Sequence, residues 1–277
     1  GHKETEMTKT VLITGSSTGI GRATAEYFQK QGWNVAATMR TPSKETSLNK
    51  LNQVICPALD VTSTESIRAA IDSTIKAFGS IDVVVNNAGY GLNGPFEGAS
   101  DEQIRRQFET NVFGLMAVTR EILPHFRSRK SGVVVNVASM GGRLTFPLYS
   151  VYHSTKWAVE GFSESLKFEL EPLGIRVKII EPGAIKTDFY ERSNDNTSAT
   201  APDEYNAFQG KAMARMKKAG NKGIAPVKVA QAIFKASTDD SGKLRYPVGP
   251  DATGLLLMRR GIPDAVYAKM IGGAIMK

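Results

Sequence analysis

Short apolar runs alternate with helical segments along most of this 277-residue chain, and that alternation limits the folds open to it. The apolar runs, which we predict as strands, lie at residues 10–14, 34–39, 53–58, 81–85, 132–137, 175–180 and 244–248. The helical segments lie at 20–31, 63–78, 101–129, 150–173 and 227–237, and we expect the last of these to be the final helix. Apolar strands that alternate with helices indicate a parallel α/β sheet covered by helices on both faces.

The alternation runs without a linker or an internal repeat, so we expect one domain over residues 8–277. Residues 191–205 depart from it, because they are rich in Asn, Thr, Ser, Asp and Pro and follow no period. Long irregular segments of this kind are often lids, and we predict a substrate lid at about 188–225. Residues 251–277 are an apolar C-terminal extension, which we expect to pack within the protein.

Composition and charge argue against several classes of protein. No apolar run approaches the length of a transmembrane segment, and residues 1–8 are polar, so a cytoplasmic protein is expected. The single Cys56, expected to be a small buried apolar residue, agrees with that location. The net charge of +8 comes from scattered Lys and Arg, so we predict no nucleic-acid partner. His2, His125 and His153 do not cluster with acids or cysteines, so we predict no metal site.

A glycine-rich turn follows the first predicted strand and opens the first predicted helix. Residues 14–21 read TGSSTGIG, with the glycine spacing Gly-x3-Gly-x-Gly. Glycine lets the backbone approach a ligand closely, and a helix N-terminus offers N–H groups to a pyrophosphate. The strand–turn–helix context predicts a dinucleotide site, and the lack of a following Gly-Lys-Ser/Thr argues against a P-loop. The loop residues predicted to bind the cofactor are Gly15, Ser17, Thr18, Gly19, Ile20 and Gly21.

Further motifs follow this loop along the chain: residues 86–89 read NNAG, residues 152–156 read YHSTK, and a Pro-Gly pair stands at 182–183. Together with TGSSTGIG they resemble the motifs of the short-chain dehydrogenase/reductase family over residues 8–250. The resemblance implies a Rossmann-type doubly wound sheet and a catalytic tetrad of Asn111, Ser139, Tyr152 and Lys156. It also implies cofactor contacts by Asp60, Val61, Asn87, Ala88, Gly89, Tyr152, Lys156, Pro182, Gly183, Ile185 and Thr187.

Tyr152 and Lys156 stand four residues apart, so one helix face carries both. Reduction of a carbonyl needs a proton donor at the oxygen, and oxidation needs a base there; the ordinary tyrosine pKa of about 10 is too high for an efficient base at neutral pH. A nearby positive charge would favour the phenolate. Lys156 can supply the charge. By the resemblance, Lys156 also holds the nicotinamide ribose, Ser139 hydrogen-bonds the substrate oxygen, and Asn111 holds a water in a proton relay. Tyr149 competes with Tyr152, but a histidine rather than a lysine stands four residues after it.

The residues after the second predicted strand bear on the choice of cofactor. NAD-binding folds of this kind usually place an acid there, which binds the ribose 2′-hydroxyl. Here the chain reads Thr38, Met39, Arg40, Thr41, with no carboxylate, and the planar guanidinium of Arg40 can grip a 2′-phosphate. We therefore predict NADP(H), with Thr38 and Thr41 as lesser contacts. The alternative for Arg40 is a solvated surface charge.

These features predict an NADP(H)-dependent oxidoreductase that transfers a hydride between the nicotinamide and a carbonyl or secondary alcohol. The alternatives are an epimerase or dehydratase on the same fold, and a cofactor-sensing binding protein without turnover. Within the family, the segment ATMR and the long C-terminal region are similar to the 17β-hydroxysteroid and retinol dehydrogenase branch, so we expect a lipophilic substrate. Helices 101–129 and 150–173 are expected to form a homodimer or homotetramer. The predicted pocket residues are Tyr90, Leu92, Ser139, Met140, Phe146, Tyr149 and Phe189.

Overall fold

The computed structural model describes residues 7–186 and 195–276. The strands within them are β1 (Thr10–Ile13), β2 (Asn34–Ala37), β3 (Val54–Ile55), β4 (Val83–Asn86), β5 (Leu92–Asn93), β6 (Gly132–Val137), β7 (Ile175–Pro182), β8 (Asp195–Asn196) and β9 (Arg245–Val248). Seven of these described strands form a parallel sheet in the order β3–β2–β1–β4–β6–β7–β9, and β5 pairs with β8. The chain winds outward from β1 to one side and then to the other, which confirms the predicted Rossmann-type sheet.

The helices are α1 (Gly19–Lys30), α2 (Thr64–Phe78), α3 (Asp101–Phe108), α4 (Leu115–Arg129), α5 (Ser150–Leu170), α6 (Asn206–Asn221), α7 (Pro226–Thr238), α8 (Pro250–Gly261) and α9 (Asp264–Met276). Local signals explain several of their ends. The Ser63 hydroxyl accepts a hydrogen bond from the N–H of Ser66 and so caps α2, and Gly79 with φ +87° ends the same helix. Ser100 and Gln103 form a reciprocal capping box at the start of α3.

Alternate residues of the strands face two different cores. Val11 and Ile13 of β1 pack with Phe28 of α1 and Ile233 of α7 on one side of the sheet. Leu12, which lies between them, packs on the other side against apolar residues of α2, α4 and α5. Burial on both faces explains why the strands read as continuous apolar runs rather than as alternating patterns. Because the seven strands are parallel, their carboxyl ends lie along one edge of the sheet. Most of the predicted site residues follow these strand ends in the chain.

The structure refines the predicted helices in three places. The region 101–129 is helical throughout, as predicted, but a π-helical turn at Glu109–Gly114 joins α3 to α4, and Pro124 lies inside α4. The helix predicted at 150–173 ends at Leu170 and continues as a 3₁₀ turn. The segment 227–237 is not the final helix, since α8 and α9 follow it. Helix α6 also occupies part of the predicted lid, whose residues 188–194 lie outside the described residues.

Candidate active site

The glycine loop forms a tight turn between β1 and α1. Gly15 has φ +66°, and a Cβ placed on Gly21 would lie 2.1 Å from the carbonyl oxygen of Gly15. Thr18 precedes α1, and its side chain makes no capping hydrogen bond within the described residues. The first N–H groups of α1 therefore remain available to an anion at the helix N-terminus. The turn has the close backbone packing that only glycine permits, and it fits the diphosphate of a dinucleotide.

Asn87 holds this loop in place from the neighbouring strand. Its side-chain amide donates to the carbonyl oxygens of Thr14 at 3.2 Å and Gly15 at 3.1 Å. The Thr14 hydroxyl in turn accepts the backbone N–H groups of Asn87 and Ala88, each at 3.0 Å. The NNAG motif thus acts on the glycine loop itself. Gly89 lies farther along, where a Cβ would come within 3.0 Å of the Asn111 side-chain oxygen.

Lys156 and Tyr152 lie near the end of β6, on the first turns of α5. The Lys156 ammonium is buried, donates to the carbonyl oxygen of Val137 at 3.1 Å and lies 5.7 Å from the centroid of the Tyr152 ring. Burial lowers the pKa of Lys156 to about 8, so the group remains mostly protonated near neutral pH. A positive charge at this position favours the phenolate form of Tyr152, as the sequence argument requires.

Asn111 lies in the π-helical turn and connects two parts of the site. Its side-chain oxygen accepts the N–H of Tyr90 at 3.1 Å, and its amide donates to the Tyr90 carbonyl at 2.9 Å. The same amide lies 3.3 Å from the hydroxyl of Thr155, which donates to the carbonyl of Tyr152 at 2.6 Å. The extra residue in the helical turn places Asn111 against α5. Its role in a proton relay stays a prediction.

The loop that carries Ser139 is held by His153, to which the sequence analysis assigned no role in the site. Ser139 follows β6, and its hydroxyl accepts the N–H of Gly141 at 3.0 Å. The N–H of Phe146 donates to Nδ1 of His153 at 3.3 Å, and a Cβ on Gly141 would lie 2.9 Å from His153 Nε2. Burial lowers the pKa of His153 to about 4, so the ring is neutral. His153 therefore contacts the loop at two points, near Ser139 and at Phe146.

The remaining predicted cofactor residues follow β3 and β7. Asp60 accepts the N–H and the hydroxyl of Thr62 at 2.9 and 2.7 Å, and Val61 is buried against Gly114. At the end of β7, a Cβ on Gly183 would approach the Asp251 carboxylate to 2.2 Å, and that carboxylate accepts the N–H of Ala184 at 2.8 Å. Asp251 therefore connects the start of the C-terminal extension to residues 182–185, which include the predicted cofactor residues Pro182, Gly183 and Ile185. Thr187 and Phe189 lie outside the described residues.

A cavity of about 250 Å³ lies beside the glycine loop and the end of β2, next to Arg40 in the chain. Arg40 itself is exposed. Thr38 is buried, and its hydroxyl donates to the carbonyl oxygen of Ile13 at 2.8 Å, so this proton is used inside the sheet. Sequence reasoning missed several of the residues that line the cavity, because their positions follow no motif. The lining residues are Ser17, Arg22, Met39, Thr41, Lys44, Glu45 and Thr46.

The negative charge of Glu45, which lines this cavity, is neutralised by its neighbours. Glu45 pairs with Arg22 at 2.9 Å and accepts the N–H groups of Ser47 at 2.8 Å and Leu48 at 2.9 Å. Its hydrogen bond with Arg22 is the largest of the effects that lower the pKa of Glu45 to about 2, so the carboxylate stays ionised. Because Arg22 and backbone N–H groups already neutralise Glu45, the exposed Lys44 and Arg40 leave this corner electropositive.

Two buried carboxyl groups lie beside each other behind Lys156. Glu160, one helical turn after Lys156 in α5, accepts Nε of Arg245 at 2.9 Å, and its neighbour Glu181 immediately precedes Pro182 at the end of β7. Arg143, at the end of the Ser139 loop, pairs with Glu181 at 3.4 Å. Burial and the neighbouring Glu181 carboxyl raise the pKa of Glu160 to about 8. The pair therefore carries a proton near neutral pH and joins α5, β7 and the Ser139 loop.

Replacing Glu160 with glutamine should flatten the dependence of stability on pH. An unfolded glutamate titrates near 4.3, so between about pH 4.5 and pH 8 the folded chain keeps a proton that the unfolded chain has lost. The stabilisation is complete below the unfolded pKa and falls by up to about 1.4 kcal/mol per pH unit as pH rises toward the folded pKa. From pH 6 to pH 8 the parent Tm should fall about 5 °C more than that of Glu160→Gln. Glu164→Gln, which alters an exposed partner of the same Arg245, should behave like the parent; equal pH slopes in all three proteins would contradict this assignment.

Comparison with known proteins matches this geometry to one family. The sequence profile described as short chain dehydrogenase matches residues 9–198. The chain belongs to this family. A short-chain dehydrogenase from Streptomyces avermitilis has a structure with TM-score 0.83 and 35% identity, and each chain is covered to 96%. The protein ElxO, in a structure with NADP bound, aligns with TM-score 0.75 and 27% identity over 90% of this chain and 100% of its own.

A curated relative carries a named activity. The 3-ketodihydrosphingosine reductase of Bacteroides thetaiotaomicron is 33% identical over 240 residues, 87% of each protein. Membership in the family makes this chain an oxidoreductase that acts on CH–OH and C=O groups of small molecules. Among the described helices, none combines the length and hydropathy needed to cross a membrane. Likewise, no group of three His, Cys, Asp or Glu side chains within residues 7–186 and 195–276 is arranged to hold a metal ion.

Proposed function

We propose that this chain is a cytoplasmic NADP(H)-dependent oxidoreductase that interconverts a carbonyl and a secondary alcohol, with Tyr152 as the acid–base residue. The observation that carries the proposal is the buried Lys156 ammonium, 5.7 Å from the Tyr152 ring and bonded to the carbonyl of Val137 beside the Ser139 loop. The bound nicotinamide supplies or accepts the hydride. The positive charge of Lys156 lowers the cost of the Tyr152 phenolate, so one hydroxyl can donate a proton in reduction and accept it in oxidation.

Ser139 and its loop bring the substrate oxygen to Tyr152. The hydroxyl of Ser139 already accepts the N–H of Gly141, which leaves its own proton to donate to a carbonyl oxygen. Charge that develops on that oxygen during reduction is then stabilised by a fixed donor. His153 keeps the loop in position without adding a titrating group, because burial holds its pKa at about 4.

The electropositive corner at Arg40 supports NADP(H) as the cofactor, as does the NADP bound in the structure of ElxO. NADPH should bind at least tenfold more tightly than NADH in a fluorescence titration, and Arg40→Ala should remove most of that difference. A charge-assisted hydrogen bond contributes about 1.5–3 kcal/mol, which corresponds to at least a tenfold change in affinity. Lys76→Ala, at the far end of α2, is the charge-matched control and should leave both affinities unchanged. Equal affinity of the parent for NADPH and NADH would overturn the assignment.

We also propose that α4 and α5 pair with the same helices of a second copy. Phe113 in the turn before α4 and Trp157 and Phe168 of α5 are 53%, 49% and 70% exposed, which is unusual for large apolar side chains on two neighbouring helical segments. Light scattering at micromolar concentration should show a dimer or tetramer. Phe168→Asp should shift the protein toward the monomer, whereas Phe96→Asp, at an exposed phenylalanine outside α4 and α5, should not. A monomeric parent would refute the proposal.

A further inference from the structure

Helix α6 brings together cations that are scattered in the sequence. No Asp or Glu stands between Glu204 and Asp239, whereas that stretch holds seven Lys and Arg residues. Four of the seven follow one another at spacings of four, three and four residues, so they share one face of α6. These four side chains are exposed, namely Lys211, Arg215, Lys218 and Lys222. Because the helix has no acid to neutralise them, this face carries a positive potential.

Exposed aliphatic side chains lie on the neighbouring helix α9. Val266 and Met270, one helical turn apart, are 45% and 44% exposed, and the exposed Lys269 stands beside them. The Arg215 guanidinium of α6 donates to the carbonyl oxygen of Ala274, so the basic face of α6 borders the C-terminal end of α9. We call the basic face of α6 together with the exposed face of α9 the basic surface.

The chemistry of the basic surface matches an anionic lipid membrane. Each Lys or Arg near acidic headgroups raises the affinity about fivefold, and aliphatic side chains gain by leaving water for the acyl boundary. The acid of α9, Asp264, pairs with Arg259, which limits its repulsion of acidic headgroups. A nucleic acid is the other anionic partner to consider. Surfaces that bind single strands usually add aromatic rings on which bases stack, whereas Val266 and Met270 are aliphatic.

We propose that the basic surface docks on an anionic lipid membrane. The cations of α6 meet the lipid phosphates, while Val266 and Met270 enter the boundary between headgroups and acyl chains. The attachment is peripheral and reversible, because it combines a few charges with shallow apolar contact. Anionic lipids are a feature of the cytoplasmic leaflet, which agrees with the proposed location of the chain. Neither the cofactor nor the reaction enters this argument, so the proposal goes beyond the proposed function.

Sedimentation with lipid vesicles tests the proposal on the whole chain. The parent should bind vesicles of phosphatidylcholine with about 30% phosphatidylglycerol at least tenfold more tightly than vesicles of phosphatidylcholine alone. Raising the salt concentration from about 0.1 M to about 0.5 M should remove most of that difference. The double variant Lys211→Gln with Lys218→Gln should weaken binding to the anionic vesicles about 30-fold, because two cations are lost. Lys76→Gln with Lys235→Gln, which removes two exposed cations from α2 and α7, is the matched control and should bind like the parent.

A second pair of variants tests the aliphatic contact. Met270→Ser should weaken binding to the anionic vesicles about fivefold or more and keep the parental salt dependence, because it removes apolar area and no charge. Phe96→Ser, at a residue that is 60% exposed and lies outside α6 and α9, should bind like the parent. The Tm of each variant, measured alongside, should stay close to that of the parent. None of these measurements needs turnover or a bound cofactor.

Three results would overturn the proposal. The first is equal affinity of the parent for the anionic and the neutral vesicles. The second is a loss of binding in Lys76→Gln with Lys235→Gln, or in Phe96→Ser, as large as in the variants of the basic surface. The third is tighter binding to duplex DNA than to the anionic vesicles, which would assign the surface to a nucleic acid.

Discussion

Tyr152→Phe should lower kcat by about 10² to 10⁴, the range that general acid–base catalysis contributes, while the affinity for NADPH changes little. The substitution removes one hydroxyl and keeps the ring, which packs in an apolar cluster with Tyr149 and beside His153. The glycine loop and Arg40 are untouched, so the cofactor site remains. Stopped-flow or steady-state measurement of NADPH consumption with any active ketone gives the change in kcat, and a fluorescence titration gives the affinity.

Tyr149→Phe is the matched control for that experiment. Tyr149 precedes the first residue of α5, is buried, and lies with its ring nearly parallel to that of His153 at 6.0 Å. Tyr149→Phe should retain measurable turnover, because the ring packs with Leu148, Ala212 and Ile275 and the substitution keeps that ring. Lys156→Met should weaken NADPH binding and turnover together, since we assign both tasks to its ammonium. Near-parental turnover of Tyr152→Phe, or loss of turnover in Tyr149→Phe instead, would reject Tyr152 as the acid–base residue.

Gly21→Ala should weaken cofactor binding strongly and lower the thermal stability as well. The added methyl group would lie 2.1 Å from the Gly15 carbonyl oxygen and 2.6 Å from the Asn87 amide nitrogen, so the loop must move away from the strand that holds it. Overpacking of this kind costs about 1–3 kcal/mol, or several degrees of Tm in a chain of this size. NADPH affinity should fall at least tenfold, because the N–H groups that meet the diphosphate belong to the displaced turn.

The control for this substitution is Gly254→Ala in α8. A Cβ on Gly254 meets no described atom within 4 Å, and alanine is the better helix former by about 1 kcal/mol. Gly254→Ala should therefore keep or raise the Tm and bind NADPH like the parent. Differential scanning calorimetry and the same fluorescence titration compare the two variants directly. If Gly21→Ala binds NADPH as tightly as Gly254→Ala, the glycine loop is not the diphosphate site.

The sheet could be predicted because its strands lie between two cores and are apolar on both faces, as Val11 and Leu12 of β1 illustrate. Helices α6 and α9 carry no comparable signal. Helix α6 contains Gly210, Gly220 and three lysines, and α9 is apolar on several sides and contains two adjacent glycines. Both helices pack against each other and against the apolar side chains of Leu148, Tyr149 and Tyr152, and local sequence does not reveal that tertiary packing.

The candidate site likewise contains some residues whose association the sequence predicts and others whose association it does not. Tyr152 and Lys156 are neighbours on a helix, so their spacing predicts that they act together. Arg22 and Glu45 are 23 residues apart, and Glu160 and Glu181 are 21 apart, in segments that meet only through the winding of the sheet. Sequence spacing carries no information about such pairs. Nevertheless, the pair of Arg22 and Glu45 determines the net charge beside Arg40, and the pair of Glu160 and Glu181 holds a proton close to Lys156.

The two tryptophans of this chain provide separate optical signals for folding and for association. Trp33 is buried, with its ring edge-on to Phe28 at 5.1 Å, and should emit at short wavelength until the chain unfolds. Trp157 is half exposed on α5, with its indole N–H donated to the Leu144 carbonyl at 3.3 Å, and should emit at longer wavelength and be quenched by iodide. Dilution that separates subunits should increase the iodide quenching of Trp157 while the emission of Trp33 stays constant. Trp157→Phe leaves one emitter, so denaturation can be followed without interference from assembly.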